Sequence, residues 1–442
     1  MRCRGLRPAR SDSVRLVQAC VDGEASVNMS SCRFIVATVF DGIASLPDTS
    51  VDLVVTSPPY LALRSYLPSD HPTKAKEIGS EPTPAAFIDT LLDVVEAIDR
   101  VLAPHGSVCI ELGDTYSGSG GAGGDWIEGS GQRVYTRGSE VPDFASMPQR
   151  KGPGWPMAKS LCMVPELFRV ALAYGVNPLT GRQTPPWRCR NVIRHFRPDP
   201  PVGALGTKFR PATSDWIVAT KSATRWFDLD AVRTTPQTLA RTKVNRHFAD
   251  RPDTCLTDQH SERPSAHPAG TPPLDWWADD DLEWRDAAGF IQPTFRYTGA
   301  HFATFSPKVV ARLIEPQCPR RVCRTCGEPS RRIVDTRWIG SNGEEVHETW
   351  ASAVADGKGA HSHKTSSATT ITTTLGWTTC GHDDWRPGVV LDPFAGSGTT
   401  LQVAIGQGRD AVGIDLDPRN ADLARERVGM FLAVEHLEEV IA

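Results

Sequence analysis

The chain has 442 residues, which is enough for one large domain with insertions or for two or three smaller domains. A hydrophobic fraction of 40% allows a buried core, and no apolar run reaches the roughly 18 residues that span a bilayer. The formal net charge of −4 argues only weakly against a nucleic-acid partner, because binding requires one basic face. The basic N-terminus lacks the apolar segment of a secretory signal, so we expect a cytoplasmic protein without membrane contact.

The pattern of apolar residues predicts strands that alternate with helices. Such alternation is typical of an α/β fold, a mostly parallel sheet with helices on both faces. After a flexible arm over residues 1–30, residues 51–57 have the composition of a buried strand and residues 85–102 that of an amphipathic helix. The other predicted elements are strands at 107–112, 191–196, 216–220, 388–392 and 410–416, and helices at 164–174, from 399, and at 418–434.

Three segments interrupt this alternation. Residues 117–160 are rich in Gly, Ser and Pro, which predicts a long loop. Residues 236–296 are polar, rich in Pro and punctuated by three tryptophans, and residues 318–388 contain clustered Cys and His. We interpret the last two segments as insertions into one domain.

Positive charge is concentrated between residues 182 and 251, where fourteen Lys and Arg stand against five Asp and Glu. A solvated polar surface would account for this excess. Basic side chains that contact phosphates would account for it as well, and we favour this nucleic-acid interpretation. The aromatic residues interleaved with the positive charge are Trp187, Phe196, Phe209, Trp216, Trp226 and Phe227.

The segment GVVLDPFAGSGTT, residues 388–400, predicts a strand, a tight glycine turn and the start of a helix. Gly396 and Gly398 allow the backbone to approach a ligand closely, and the helix N-terminus offers free N–H groups. No Lys follows Gly398, as a phosphate-binding loop would require, and Leu401 stands where a dinucleotide fingerprint has its third Gly. A turn that binds no ligand is the alternative.

Two carboxylates sharpen the interpretation of the glycine turn. Asp392 ends the strand before the turn, and Asp415 ends the next predicted strand. A carboxylate at the second position can accept hydrogen bonds from both hydroxyls of a ribose. A nucleoside cofactor without phosphates fits this pattern, and S-adenosylmethionine is such a cofactor.

A second motif, VVTSPPY at residues 54–60, follows the first buried strand. Its two prolines stiffen the turn and remove two N–H donors, so the Ser57 hydroxyl and the Pro58 carbonyl are the exposed acceptors. Tyr60 adds a flat aromatic face. Two acceptors and a stacking ring suit a planar molecule with an exocyclic amino group, such as cytosine or adenine; a structural Pro-Pro turn is the alternative.

TSPPY and DPFAGSGTT together resemble the motifs of the amino-group DNA methyltransferases, which transfer methyl to N4 of cytosine or N6 of adenine. TSPPY precedes the glycine turn, and this order is similar to the circularly permuted β-class. The resemblance covers roughly residues 33–235 and 297–435 and implies a Rossmann-like, S-adenosylmethionine-dependent methyltransferase fold. The divisions it implies are a catalytic half at 31–235, a target-recognition insertion at 236–296, a cofactor-binding half at 297–317 and 389–435, and the Cys/His insertion at 318–388.

The resemblance also implies roles for individual residues. The catalytic tetrad is Ser57, Pro58, Pro59 and Tyr60. The segment around Asp41 matches the lead-in to the tetrad, and residues 301–316 match the segment before the glycine turn. The cofactor-binding set is Asp41, Phe302, Thr304, Asp392, Pro393, Phe394, Gly396, Gly398, Thr399 and Asp415.

The expected function is site-specific methylation of a flipped base in double-stranded DNA, as in restriction-modification, with a cognate endonuclease encoded separately. Serine at the first tetrad position resembles the cytosine-N4 signature, and adenine-N6 methylation is the alternative.

C5 methylation of cytosine is disfavoured because it needs a thiolate, usually in a Pro-Cys dipeptide, and the sequence has no Pro-Cys. Methylation of glutamine side chains in proteins is another alternative. The enzymes that catalyse it place the tetrad after the cofactor turn, so the order found here favours DNA. A non-catalytic DNA-binding module is the remoter alternative.

The Cys/His insertion contains the spacing of a metal site. Cys323 and Cys326 form a C-x2-C pair, and Cys380 and His382 follow some fifty residues later. Two such pairs separated by a loop suit tetrahedral zinc, and Cys318 is a competing fourth ligand. An insertion with free thiols is the alternative. A closed four-ligand site leaves no position for catalysis, so we expect a structural zinc.

Overall fold

One large sheet organises the described part of the chain. A computed structural model describes residues 30–63, 73–118, 150–196, 209, 211–233, 272–273, 275–278, 306–339, 369–429 and 432–437. The strands are β1 (Cys32–Val36), β2 (Val51–Thr56), β3 (Leu102–Leu112), β4 (Arg188–Phe196), β5 (Thr213–Thr220), β6 (Trp276–Ala278), β7 (Arg321–Cys323), β8 (Arg332–Ile339), β9 (Thr369–Trp377), β10 (Trp385–Pro387), β11 (Val389–Asp392), β12 (Asp410–Asp415) and β13 (Leu432–His436). The helices are α1 (Val39–Ala44), α2 (Pro84–Val101), α3 (Val164–Tyr174), α4 (Pro307–Gln317), α5 (Thr399–Gly406) and α6 (Arg419–Val428).

The sheet has nine strands in the order β13-β1-β12-β11-β2-β3-β5-β4-β6. Every neighbouring pair from β13 to β3 is parallel, whereas β5 runs antiparallel to both β3 and β4. The expected mostly parallel sheet is therefore confirmed. Its centre is β2, the strand that leads into TSPPY, with β11 on one side and β3 on the other.

Helices cover both faces of the sheet. Side chains alternate between the faces of a strand, and β2 shows this directly. Val54 packs in one apolar cluster with α1, α2 and α3, whereas Leu53 and Val55 pack in a second cluster with α4, α5 and α6. Because both faces are buried, the central strands are apolar at nearly every position, which explains why β2 is recognisable in the sequence.

The helix predicted at 85–102 is confirmed, and its ends follow local chemistry. The Thr83 side chain accepts a hydrogen bond from the backbone N–H of Ala86, and Pro84 occupies the first turn, where its missing donor costs little. The prediction of a single helix over residues 418–434 is wrong. The helix ends at Val428, before Gly429 at a φ of +75°, and Leu432–His436 form β13, which pairs with β1.

The two insertions are described to different extents. Most of the insertion predicted at 236–296 lies outside the described residues, and β6 is its described strand. The insertion at 318–388 leaves and re-enters the domain through β7 and β10, which pair antiparallel. Beyond them, β8 and β9 form a second antiparallel pair, which we call the β8–β9 ribbon.

A buried carboxylate, that of Asp52, holds the amino end of β2 in place. Asp52 is fully buried and receives hydrogen bonds from both terminal nitrogens of Arg386, at 2.5 and 3.2 Å, and from the backbone N–H of Val389. The ring of His105 lies 3.0 Å from the same carboxylate. Burial by itself raises the pKa of Asp52, but these partners outweigh it and hold the pKa below its ordinary value.

Within the described residues, no helix combines the length and the apolar character that crossing a membrane would require.

We predict that Asp52→Asn destabilises the protein by about 3–5 kcal/mol, because it leaves the Arg386 guanidinium in a mostly buried position without its counter-charge. The lowered pKa of Asp52 means that the pair stabilises the fold above about pH 4 and that this contribution is lost as the pH falls further. Urea unfolding at pH 7 measures the first effect, and urea unfolding of the wild type and the variant at pH values from about 5 down to 2.5 measures the second. The control is Asp48→Asn at an exposed ion pair with Arg100, and an equal loss in the two variants would contradict the prediction.

Candidate active site

The predicted motifs meet at one edge of the sheet, where the parallel strands end. β1, β12, β11 and β2 are consecutive in the sheet, and their carboxyl ends carry Asp41, Asp415, Asp392 and Ser57 in that order. Ligands of open α/β sheets bind at this edge. The fold thus brings the tetrad and the glycine turn together, although the sequence separates them by more than 300 residues.

The connection between the two motifs is the side chain of Asp392. One carboxylate oxygen accepts a 2.6 Å hydrogen bond from Thr56, the residue before the tetrad, and the backbone N–H of Phe394 donates to the same oxygen. The other oxygen accepts a 2.6 Å hydrogen bond from Thr400 on α5. Burial raises the pKa of Asp392 to about 6, and these hydrogen bonds lower it only in part. Asp392 therefore has a structural role, which is to join the strand before the tetrad to α5, in addition to its predicted role in cofactor binding.

The glycine turn needs its glycines for two different reasons. Gly396 and Gly398 have φ values of +49° and +79°, in the left-handed region that disfavours side chains. A Cβ on Gly398 would also lie 2.9 Å from the Cβ of Ala424, so this glycine lets α5 approach α6. Between them, the Ser397 hydroxyl is buried and has no hydrogen-bond partner among the described residues.

Asp415 and Asp41 stand beside this turn. Asp415 accepts hydrogen bonds from the backbone N–H of Gly396 at 2.8 Å, the backbone N–H of Asp417 and the side chain of Asn420. It remains partly exposed, and burial raises its pKa. Asp41 is exposed in the first turn of α1, where the Thr38 hydroxyl donates to its carboxylate at 2.5 Å. Phe302 and Thr304, also predicted to bind the cofactor, lie outside the described residues.

The tetrad forms the turn that follows β2. Pro58 is buried, Ser57, Pro59 and Tyr60 are partly exposed, and the Ser57 and Tyr60 hydroxyl oxygens are 3.5 Å apart. The Tyr60 ring lies over Gly113 at the end of β3, where a Cβ would come within 2.5 Å of a ring carbon. Gly113 is thus what makes room for the ring.

Sequence reasoning missed Thr56, Thr400 and Gly113. The two threonines belong to the quoted motifs, so only their spatial pairing through Asp392 was hidden. Gly113 carries no local signal in the sequence, because its requirement arises from the ring of Tyr60 in the turn after the neighbouring strand β2.

The structure corrects the interpretation of the tryptophans in the basic stretch at 182–251. Trp187, Trp216 and Trp226 are buried in the fold and are not available to stack on bases. Several of the cations are already paired: Arg182 with Asp93, Arg194 with Asp215, Lys221 with Asp99 and Arg233 with Asp230. Asp215 and Asp230 belong to the stretch and are already counted in its charge, so of these four pairs those of Arg182 and Lys221, with acids outside the stretch, reduce the excess of positive charge.

The predicted metal ligands do come together. One ligand atom from each of Cys323, Cys326, Cys380 and His382 lies within 4.8 Å of all the others. Cys318, the competing ligand, is fully buried in the apolar cluster beneath α4 and is not part of this group. Cys323 is the last residue of β7 and Cys326 follows it, while Cys380 and His382 precede β10.

The sheet order and the two motifs define a Rossmann-like methyltransferase that uses S-adenosylmethionine. The sequence profile of the N6/N4 DNA methylase family matches residues 51–320 and 381–426, which is more than half of the chain. The chain belongs to this family. The expected family and cofactor are thereby confirmed.

Several characterised relatives are Type II methyltransferases. M.SfiI of Streptomyces fimbriatus is 30% identical over 198 residues, which are 45% of this chain and 38% of M.SfiI. M.SmaI of Serratia marcescens is 32% identical over 93 residues, or 21% of this chain and 30% of M.SmaI. M.Cfr9I of Citrobacter freundii is 28% identical over 215 residues, or 45% and 58%. The alignments span less than two thirds of each relative.

Solved structures overlap with the fold over most of its length but at low similarity. The PvuII DNA methyltransferase, cytosine-N4-specific, matches with a TM-score of 0.42 and 13% identity, covering 94% of this chain and 89% of that protein. M1.HpyAVI in complex with its cofactor matches with a TM-score of 0.37 and 11% identity, covering 90% and 99%. The family assignment rests on the sequence profile rather than on these superpositions.

Tyr60 is expected from the tetrad to stack on the acceptor base, so we predict that Gly113→Ala, by displacing the ring by about 1 Å, lowers methyl transfer by about 10- to 100-fold. Binding of S-adenosylmethionine should change less than about two-fold. Single-turnover kinetics and calorimetry separate the two effects. Gly376→Ala is the control, since a Cβ there meets open space. Full activity of Gly113→Ala would show that the ring does not need its position.

We also predict that Asp392→Asn changes the pH dependence of stability. A pKa raised to about 6 means that protonated Asp392 stabilises the fold below about pH 4 and that this contribution is lost as the pH rises through 6. The asparagine variant lacks this titration, so the difference between wild type and variant should shift by about 2–3 kcal/mol between pH 4 and pH 7. Urea unfolding across this range measures the shift, with Asp422→Asn as an exposed control. A difference that does not vary with pH would contradict the prediction.

Proposed function

We propose that the protein transfers a methyl group from S-adenosylmethionine to the exocyclic N4 amino group of a cytosine flipped out of double-stranded DNA. The observation that carries this proposal is the hydrogen-bonded path from Thr56 through Asp392 to Thr400. This path sets the acceptor motif TSPPY directly beside the glycine turn. A site that joins two substrates needs such adjacency, since alignment alone can contribute roughly 7–11 kcal/mol to catalysis.

The residues at the glycine turn fit S-adenosylmethionine. The turn has no Lys to answer phosphate charge, the carboxylates of Asp41 and Asp415 lie at the sheet edge, and the Ser397 hydroxyl is buried with no partner among the described residues. Asp415 already accepts three hydrogen bonds, yet a carboxylate offers about four acceptor sites, so it retains capacity for a ribose hydroxyl. When bound, the cofactor supplies a methyl group already activated by its sulfonium.

The tetrad fits an aromatic amine as acceptor. The Ser57 hydroxyl and the Pro58 carbonyl accept hydrogen bonds from the amino group and orient its nitrogen, while Tyr60 stacks on the ring. Extruding a base from the duplex costs a few kcal/mol, which stacking and these hydrogen bonds offset. The amine loses its proton after it has gained the methyl group, so the chain needs no strong base at this position.

Serine at the first tetrad position is what favours cytosine N4 over adenine N6. Both bases present an amino group to the same acceptors, so adenine-N6 methylation by the same machinery is the second candidate. The similarity to Type II methyltransferases supports a partnership with a cognate restriction endonuclease that is encoded separately. Residues 236–296 would recognise the target sequence.

The decisive experiment is nucleoside mass spectrometry of DNA incubated with the protein and isotope-labelled S-adenosylmethionine. Label in N4-methylcytosine supports the proposal. Label in N6-methyladenine overturns the choice of base and retains the chemistry. Absence of label from all nucleosides, with the cofactor bound, would favour a non-catalytic DNA-binding module or another substrate class and would overturn the proposal.

Two substitutions should separate acceptor binding from cofactor binding. Ser57→Ala should retain the cofactor dissociation constant and lose most turnover, on the order of 100-fold, because it removes an acceptor that positions the amine. Asp415→Ala should weaken cofactor binding about 10-fold or more, because it removes both the ribose acceptor and the hydrogen bond that orders Gly396. Calorimetry and initial rates measure both variants. Ser50→Ala, at the opposite end of β2, and Asp422→Ala are the matched controls, and the reverse pattern would refute the division of roles.

A further inference from the structure

The Cys/His cluster of the insertion has no part in the methyl-transfer site, and its geometry points to a metal ion. The sulfurs of Cys323 and Cys380 lie 3.6 and 3.5 Å from Nδ1 of His382. A tetrahedral zinc with bonds of about 2.3 Å to sulfur and about 2.0–2.1 Å to nitrogen places a thiolate and an imidazole about 3.6 Å apart. The two distances match the edges of such a tetrahedron.

The local backbone is shaped to make the ligands converge. Gly327 follows Cys326 at a φ of +72°, and Gly381 lies between Cys380 and His382 at a φ of +84°. A Cβ at either glycine would meet no atom within 4 Å, so space is not what these positions require. Their requirement is the left-handed backbone, which turns each short loop towards the other.

Among the described residues, the other contacts between these two loops include the short pairing of β7 with β10, a backbone hydrogen bond from Arg324 to Asp384, and hydrogen bonds of Ser330 and Arg331 with Thr378. Cys326 and His382 are exposed, and β7 and β10 are three residues each. An ion pair between Arg324 and Asp384 crosses the loops, but both side chains are more than half exposed, so it contributes little. A segment with so small a core needs a metal or another cross-link to be rigid.

We propose that Cys323, Cys326, Cys380 and His382 bind one structural zinc ion, which clamps the two chains of the insertion where they leave the domain. Three thiolates and one imidazole are ligands that zinc prefers, and a closed set of four protein ligands is typical of structural sites. The clamp fixes the base of the β8–β9 ribbon and, through β10, the chain that carries Arg386.

The contacts on both sides of the clamp show what it positions. On the ribbon side, the Trp226 indole donates to the backbone carbonyl of Ser330 at 3.0 Å, and Arg332 pairs with Asp228 at 2.8 Å. On the domain side, Arg386 of β10 pairs with the buried Asp52. The clamp lies between these two attachments, so loss of the ion should loosen β7, β10 and the adjoining β8–β9 ribbon before it disturbs the sheet.

The test begins with the metal content of the purified full-length protein, measured by inductively coupled plasma mass spectrometry. We expect one zinc per chain in the wild type, loss of zinc in Cys326→Ser and His382→Ala, and retention in His382→Cys, which restores a fourth ligand. Cys189→Ser, at a half-buried cysteine outside the cluster, is the control and should retain zinc. Absence of zinc from the wild type even after incubation with zinc salts, or full zinc content in Cys326→Ser, would overturn the site.

The structural role is tested on the wild type by reversible chelation, so that a poorly folding variant cannot obscure it. Hydrogen exchange with and without a chelator should show faster exchange in β7, β10 and the β8–β9 ribbon, unchanged protection in β1–β3, and recovery when zinc is added back. Unchanged protection of the ribbon in the metal-free protein would overturn the clamp. Neither measurement depends on methyl transfer, so failure here is distinct from failure of the proposed function.

Discussion

The buried carboxylate of Asp392 is the interaction on which the candidate site depends. It joins the residue before the tetrad to the first turn of α5 through two hydrogen bonds of 2.6 Å, and it spans a sequence separation of 336 residues on the tetrad side. Both hydroxyl partners are themselves buried, so water does not compete for the bonds. The relative placement of acceptor motif and cofactor turn is therefore set by one side chain and by the pairing of β2 with β11.

The strand β2 is fixed by carboxylates at both of its ends, and the two carboxylates behave in opposite ways. Asp52 has a guanidinium and an imidazole as partners, so its charged form is favoured and its pKa is lowered. Asp392 has only hydroxyl and amide donors, so burial dominates and its pKa is raised. The amino end of β2 is thus held by charge, whereas the end that meets the ligands is held by neutral donors. The neighbouring carboxylate of Asp415 adds a like charge at this end, which raises the pKa of Asp392 further.

The motifs predicted the class of fold and the edge of the sheet at which the site lies, because both are local sequence patterns with a strong physical basis. The pairing of Thr56 with Asp392 and the fit of Tyr60 over Gly113 could not be predicted, since each joins different strands. The tryptophans of the basic stretch show the converse error: Trp187, Trp216 and Trp226, which the sequence places among the basic residues, are part of the buried core. The helix predicted at 418–434 ends six residues earlier, at Val428, because Gly429 adopts a φ of +75°.

The position of the Cys/His insertion explains how the family fold accommodates residues 321–380, which the family profile leaves unmatched. The insertion enters after α4 and returns directly into β11, so both of its ends lie at the amino end of that strand, opposite Asp392. The pairing of β7 with β10 and the ion pair from Arg386 to Asp52 confine its influence to that side. The described connections from the insertion to TSPPY and the glycine turn run along β2 and β11, whose side chains are divided between the two apolar clusters, so neither strand can shift without disturbing both clusters.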